Sequence, residues 1–489
     1  MRGAAAALLC AITIGAVAPA IRSARPLAAP VASPSPRPPP SPVVASLPLP
    51  GDTGTVALGV DARAGRVVLF TGPNHPFLST LDARDGRVVR RIALGGVDET
   101  YRVAFDAAAG LAITIAQGSN AAFATLYDDR TLDAVGSVRV ASYATLVRVD
   151  EARGRLFVLN GPAQNVPDPG AINTVSVVDL HPNVPLPRVL RPVGSRPTSA
   201  DALVGMDVDA ATGRLVLVTE SGRGNAVLLV DPTTGAVAHR TPTVLDPGDW
   251  GQTRAFAYIY PPVAWVFPRL RRVFARFGHM LVVIDADSGR IVRTLTLRHA
   301  VGSLVADERA GRVFGVAVGA GDETSAVPRR VDVFDGRSGD LLTSTVTGGD
   351  IQLIGRVSQY GDPPAPGVLD ARTGRFFVTT IHPVANAGPV DMFDTRSGTL
   401  VLGQDLPAAP ILALDARAGR VLALETLVHP GTGSLAVLDA HTGAVVATYA
   451  HALPGHFIDA LAVAVDEDTH RAFVVGDNGA LIVLNTASS

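Results

Sequence analysis

The sequence predicts an all-β chain in which four-stranded units sit side by side around a closed ring, a single β-propeller. Three observations carry this. Asp-to-Gly turns of two alternating kinds recur along the chain. The runs between them are apolar at almost every position. The last unit lacks one strand, and the start of the chain can supply it.

Residues 409–449 show the unit most plainly. They hold four β-rich runs, ILAL, RVLALET, SLAVL and AVVATY, with D-A-R-A-G-R closing the first pair and D-A-H-T-G-A the last. First-turn signals of this kind stand at Asp61, Asp106, Asp150, Asp209, Asp307, Asp370, Asp415 and Asp466, and second-turn signals such as LDARDG, VDPTTG and FDTRSG alternate with them. An Asp side chain accepts from backbone N–H groups two residues on, and Gly takes the left-handed conformation that closes a short hairpin.

The strands VVLF, RLFVLN, RLVLVTE and RFFVTT lack the alternation of a half-exposed strand. Both faces are therefore expected to be covered, as when small sheets stack around an axis. Nine units can be counted, with seven or eight blades as the alternatives; units two (101–140) and five (253–297) fit least well. The final unit, 457–486, has three strands, and VVASLPLP at 43–50 resembles the outer strands VVRRIAL and IVRTLTL. It is expected to complete the last blade and close the ring.

Arg2, the apolar stretch Ala4 to Ala18 and the small-x-small site Ala18-Pro19-Ala20 read as a signal peptide over residues 1–20, with an uncleaved anchor as the alternative. Ten prolines between Pro26 and Pro50 describe a spacer. Residues 21–42 are assigned to a Pro-rich disordered linker and 43–489 to the propeller. The expected location is extracytoplasmic, secreted or at the cell surface.

Four of the 42 basic residues precede Asp52 and no acid does, so the remainder, with 38 basic and 44 acidic residues, carries −6. A mildly acidic body argues against a nucleic-acid partner. Every basic residue is Arg, which removes lysine chemistry, and Cys10 is the sole cysteine. No G-x-S-x-G elbow, Walker loop or H-E-x-x-H occurs, so no cofactor or metal is assigned.

The two hairpin turns of each unit keep their length, while second-to-third and unit-to-unit loops vary, as at 160–173, 192–204, 242–253, 319–330 and 348–366. In a propeller both variable classes emerge on one face, where repeat proteins build binding surfaces. His75, His299, His382, His429, His451 and His456 fall in these loops, and His75, His382 and His429 are His-Pro pairs in equivalent loops, the ligand- or metal-binding candidates. His456 and Asp459 are the candidates for a general base and its orienter.

Residues 265–277 read WVFPRLRRVFARF. On a helical wheel Val266, Phe267, Leu270, Val273, Phe274 and Phe277 share one side, with Arg269, Arg271, Arg272 and Arg276 opposite. An amphipathic helix is expected here, placing Trp265, Phe267, Leu270, Arg271, Arg272, Phe274 and Phe277 in contact with a partner or an anionic membrane, or capping the propeller itself.

The first-strand Val-Asp, the Gly-Arg after it and the VVD or VLD ahead of Thr-Gly resemble the YVTN-type propeller repeats of exported and surface proteins, over residues 43–486. The chain departs from them where a VAN-type ending would close the second strand. The resemblance implies fold and location, but no reaction. The function expected is a non-catalytic binding module that meets a protein, glycan or small ligand through its loop-rich face. The alternative is a propeller enzyme, a lactonase-type hydrolase or a quinone-dependent dehydrogenase-like subunit, with a polar axial site.

Overall fold

A computed structural model describes residues 41–49, 55–72, 76–95, 100–117, 122–141, 144–160, 173–180, 188–190, 201–221, 224–243, 263–299, 301–317, 330–347, 367–379, 388–406, 410–425, 433–453, 460–476 and 479–487. They form nine antiparallel four-stranded sheets, the blades of a propeller. Blades 1 to 8 span 55–93, 100–140, 144–190, 201–243, 263–296, 301–346, 367–406 and 410–453, each with its strands in chain order. Blade 9 takes three strands from 460–485, and its fourth is Val43–Pro48, paired with Ala480–Asn485 from Pro48↔Ala480 to Val43↔Leu484. The first strand of the propeller thus closes its last blade, as the sequence predicts.

The core is divided among nine apolar clusters, one at each seam between neighbouring blades. At the seam of blades 4 and 5, Val216, Val218, Val227 and Leu229 meet Val273, Ala275, Val282 and Ile284. At the seam that completes the ring, Val67, Leu69 and Leu81 of blade 1 pack on Phe473, Val475, Leu481 and Val483 of blade 9, with Ala45 and Leu47 alongside. Second and third strands are buried on both faces, as in Asn225–Val230. Outer strands alternate or lie exposed, as in Val43–Pro48 and Ile291–Thr296. Each buried Val, Leu or Phe contributes roughly 1.5–3 kcal/mol, so seams and not single blades carry the stability.

The turns follow the sequence closely. All eight first-turn aspartates are at most 5 % exposed. In seven of them Oδ1 accepts turn N–H groups, as from Ala64 to Asp61 (3.1 Å) and from Ala418 to Asp415 (2.8 Å). The residue closing the turn is left-handed, Gly in seven of the nine blades.

Blade 5 corrects the helix expected at 265–277. Val263–Phe267 and Arg272–Phe277 are paired strands, joined by a turn over Pro268–Arg271. Phe267 occupies the place of the first-turn Asp, and Arg271, at φ 56°, that of the Gly. The missing acceptor comes from the next blade: Glu308 Oε2 takes the N–H groups of Arg269 (2.6 Å) and Leu270 (3.2 Å). The helical wheel misled because a strand covered on both faces is apolar at neighbouring positions. Of the four arginines on the polar side of the wheel, Arg269, Arg271 and Arg272 lie at the turn, while Arg276 is buried at the far end of the strand. Phe267, Leu270, Phe274 and Phe277 lie in the seams at 9 % exposure or less, so they offer no apolar face to a membrane.

The two faces of the ring differ. First-to-second turns span four residues in eight blades, and third-to-fourth turns are nearly as constant, the longest being 180–187 in blade 3. On the other face the connections run from 278–279 in blade 5 to 161–173, 318–329, 244–262 and 347–366.

Candidate functional site

First strands touch one another around the ring, which makes them the innermost. Their axial edges pair with no sheet neighbour, so their N–H groups need other acceptors. Two residues before the first-turn Asp, or before Phe267 in blade 5, the inner strands carry Gly59, Ala104, Val305, Val368, Ala413 and Ala464 in six blades. Blades 3, 4 and 5 instead carry Arg148, Asp207 and Trp265, and blade 2 adds Arg102 two residues earlier.

Asp207 links three of these strands. Arg148 Nε lies 3.4 Å from its Oδ1, which also accepts from Val208 N at 2.9 Å, and its Oδ2 accepts from Val266 N at 2.8 Å. Burial pushes the Asp207 carboxyl up from its ordinary value, and Arg148 with the two N–H groups opposes that. Both oxygens are committed to structural donors, so the sector ties blades 3, 4 and 5 together at the axis.

A second polar cluster sits between blades 5 and 6, at the loop-rich end. Asp332, on the third strand of blade 6, is 2 % exposed, and His299, on the connection from blade 5, is 9 % exposed with Nε2 at 3.9 Å from Asp332 Oδ2. Arg330 Nη1 donates to Ser344 Oγ at 3.2 Å, and the Ser344 hydroxyl donates to Asp332 Oδ1. Beside them Arg276 is buried, its Nη1 donating to the Val301 carbonyl. Burial lowers the His299 imidazole below its usual range, partly offset by Asp332, while burial raises Asp332 against the pull of Ser344, His299 and Arg330. The cluster can hold or exchange a proton, but the Ser344 proton points to Asp332 and not to His299. It is not set up as a nucleophile.

The sequence carries a signal for this cluster in its third strands. Third strands are mostly apolar, yet Asp332 in VDVFD and Asp391 in VDMFD place acids three residues before the second-turn Asp. Of the residues singled out from sequence, His75, His382, His429, His456 and Asp459 lie outside the described residues. Trp265, Phe267, Leu270, Arg271, Arg272, Phe274 and Phe277 form the first hairpin of blade 5, where Arg271 and Arg272 pair with Asp287 and Asp285 on the hairpin-turn face.

No protein-family model matches the sequence, and no curated protein matches it. Among solved structures, the crystal structure of Saccharomyces cerevisiae Sqt1 is similar at 11% identity and a TM-score of 0.49, over 91% of this chain and 98% of that one. Dihydro-heme d1 dehydrogenase NirN in complex with DHE is similar at 15% identity and a TM-score of 0.49, over 86% and 81%. At these scores neither likeness carries an argument about activity.

Proposed function

We propose that this chain is an exported, non-catalytic propeller that binds a protein, glycan or small ligand through its loop-rich face. One observation carries the reading: the strand ends joined by long connections all lie on one face, while the other face keeps short turns of nearly constant length. Neutral drift would lengthen loops on both faces. The apolar leader, the proline-rich spacer and the resemblance to YVTN-type repeats support export. The test is affinity capture from an extracytoplasmic extract and a glycan array, using the full chain and variants shortened within 244–262 and 348–366. Loss of the captured species in the shortened variants, with restored capture on regrafting, supports the reading; unchanged capture profiles contradict it.

An enzyme with a polar axial site is the second reading, favoured by Arg102, Arg148 and Asp207 on neighbouring inner strands. It predicts that Asp207→Asn removes a turnover without changing capture by the loop-rich face. The binding reading predicts a modest loss of stability alone.

A further inference from the structure

In seven blades the first-turn Asp uses Oδ1 for its own turn's N–H groups. Its Oδ2 faces the seam with the next blade, and a buried carboxylate oxygen needs a donor there. That donor has two sources. In blades 3, 4, 7 and 9 it is the third residue of the same turn: Arg153 to Asp150 (3.1 Å), Thr212 to Asp209 (2.6 Å), Thr373 to Asp370 (2.8 Å) and Thr469 to Asp466 (2.8 Å). In blades 6 and 8 the third residue is Ala310 or Ala418, and the donor is the next blade's threonine, Thr395 to Asp307 and Thr486 to Asp415, with His470 Nδ1 also 2.9 Å from Asp415 Oδ2.

These threonines stand directly after the second-turn Asp or Asn. Each occupies the same place in its blade, fixed by a backbone bond to the residue closing its own first turn: Thr395 N to Gly374 O, Thr486 N to His470 O. The seams that draw on their own turn have Pro232, Ala286, Ala440 and Ala83 at that place. In these six seams a donor comes from one side or the other, whereas blade 2 has Ala109 and Leu180 at the two places and the buried Asp106 Oδ2 has no hydrogen-bond partner.

Blade 1 also has Ala64 as its third residue, so of the two places only the one on blade 2 can supply a donor, and the residue there is Asp129, whose N bonds Gly110 O in the same way. Asp129 is 3 % exposed, its Oδ1 has no hydrogen-bond partner, and its carboxyl lies against that of Asp61 across the seam. A carboxyl donates only when protonated. We propose that Asp129 holds a proton donated to Asp61, making the seam between blades 1 and 2 a pH-sensitive joint, tight in mild acid and weaker near neutrality.

The charged groups around Asp129 agree. Burial, Asp61 on blade 1 and Asp128 in its own turn push Asp129 up to about 6, and Arg130 alone opposes them. The nearby Thr80 hydroxyl is no help, since it donates to the Asp129 backbone carbonyl at 2.7 Å. Because the folded value lies above the ordinary 3.8, the stability from the bound proton is full below about pH 4. It declines as pH rises and is lost above about pH 6.

The test is amide hydrogen exchange and thermal unfolding of the full chain between pH 4.5 and 7.5, exchange being corrected for its intrinsic pH dependence. Protection of turns 61–66 and 128–133 should fall several-fold over that range relative to turns 307–312 and 394–399. Asp129→Thr should flatten the profile and raise the apparent Tm by about 2–4 °C at pH 7.5, with little change at pH 4.5. Thr395→Asp should transfer the pH dependence to the seam of blades 6 and 7. The proposal fails if Asp129→Thr tracks the parent at every pH, or if Thr395→Asp stays pH-independent. It also fails if calcium stabilises the parent at pH 7.5 and Asp129→Thr abolishes that effect, since the seam would then be a cation site.

Discussion

Gly419 closes the first turn of blade 8 at φ 66°, and a Cβ added there would meet nothing within 4 Å. Backbone conformation alone therefore decides what a substitution does. Gly419→Ala should cost about 1 kcal/mol in denaturant unfolding. Arg271 holds the same position in blade 5 at φ 56°, with its guanidinium on exposed Asp287. An exposed pair of this kind contributes at most about 1 kcal/mol. Arg271→Gly should therefore be neutral or stabilising by up to about 1 kcal/mol, and a clear destabilisation would show the pair outweighs the strain. These positions also explain what the sequence concealed. Eight first turns announce themselves by Asp and Gly or His, whereas in blade 5 both signals are gone and Glu308, thirty-odd residues on, replaces the acceptor.

A blade is legible from its own residues; a seam is not. Continuous apolar runs such as RLFVLN and RFFVTT foretell strands buried on both faces, and the structure buries them. Which side chains meet across a seam depends on register between units, and no spacing within one unit encodes it. That is why His299 and Asp332 come together unannounced, and why the inner-strand link from Arg148 through Asp207 to Val266 was not anticipated. The seam donors give a direct test at this scale. Thr395→Ala should leave the buried Asp307 Oδ2 without its donor and cost about 1–3 kcal/mol. Adding Ala310→Thr should restore most of that loss, by copying the arrangement of Thr373 with Ala440. If the double variant is no better than the single one, the two positions are not interchangeable sources.

At the scale of the whole molecule, the ring is closed by a strand taken from the opposite end of the chain. Deleting Val43–Pro48 removes the pairing with Ala480–Asn485 and exposes the blade 9 side of the closing seam. The truncated chain should unfold at an apparent Tm lower by many degrees, with the earliest loss of protection in blades 9 and 1. Uniform loss across all blades would contradict the latch. Nine units, counted from turn signals, proved to be nine blades. The surface expected to bind was legible as a pattern of connection lengths, but its chemistry was not, since His75, His382, His429, His456 and Asp459 fall on connections outside the described residues.

The most direct measurement is a hydrogen-exchange footprint of the full chain with a captured partner, read peptide by peptide around both faces. Binding through the loop-rich face predicts new protection in the connections 161–172, 244–262, 318–329 and 348–366, with the turns at 62–65, 107–110, 308–311 and 416–419 unchanged. Protection centred on those short turns, or spread equally over both faces, would contradict it.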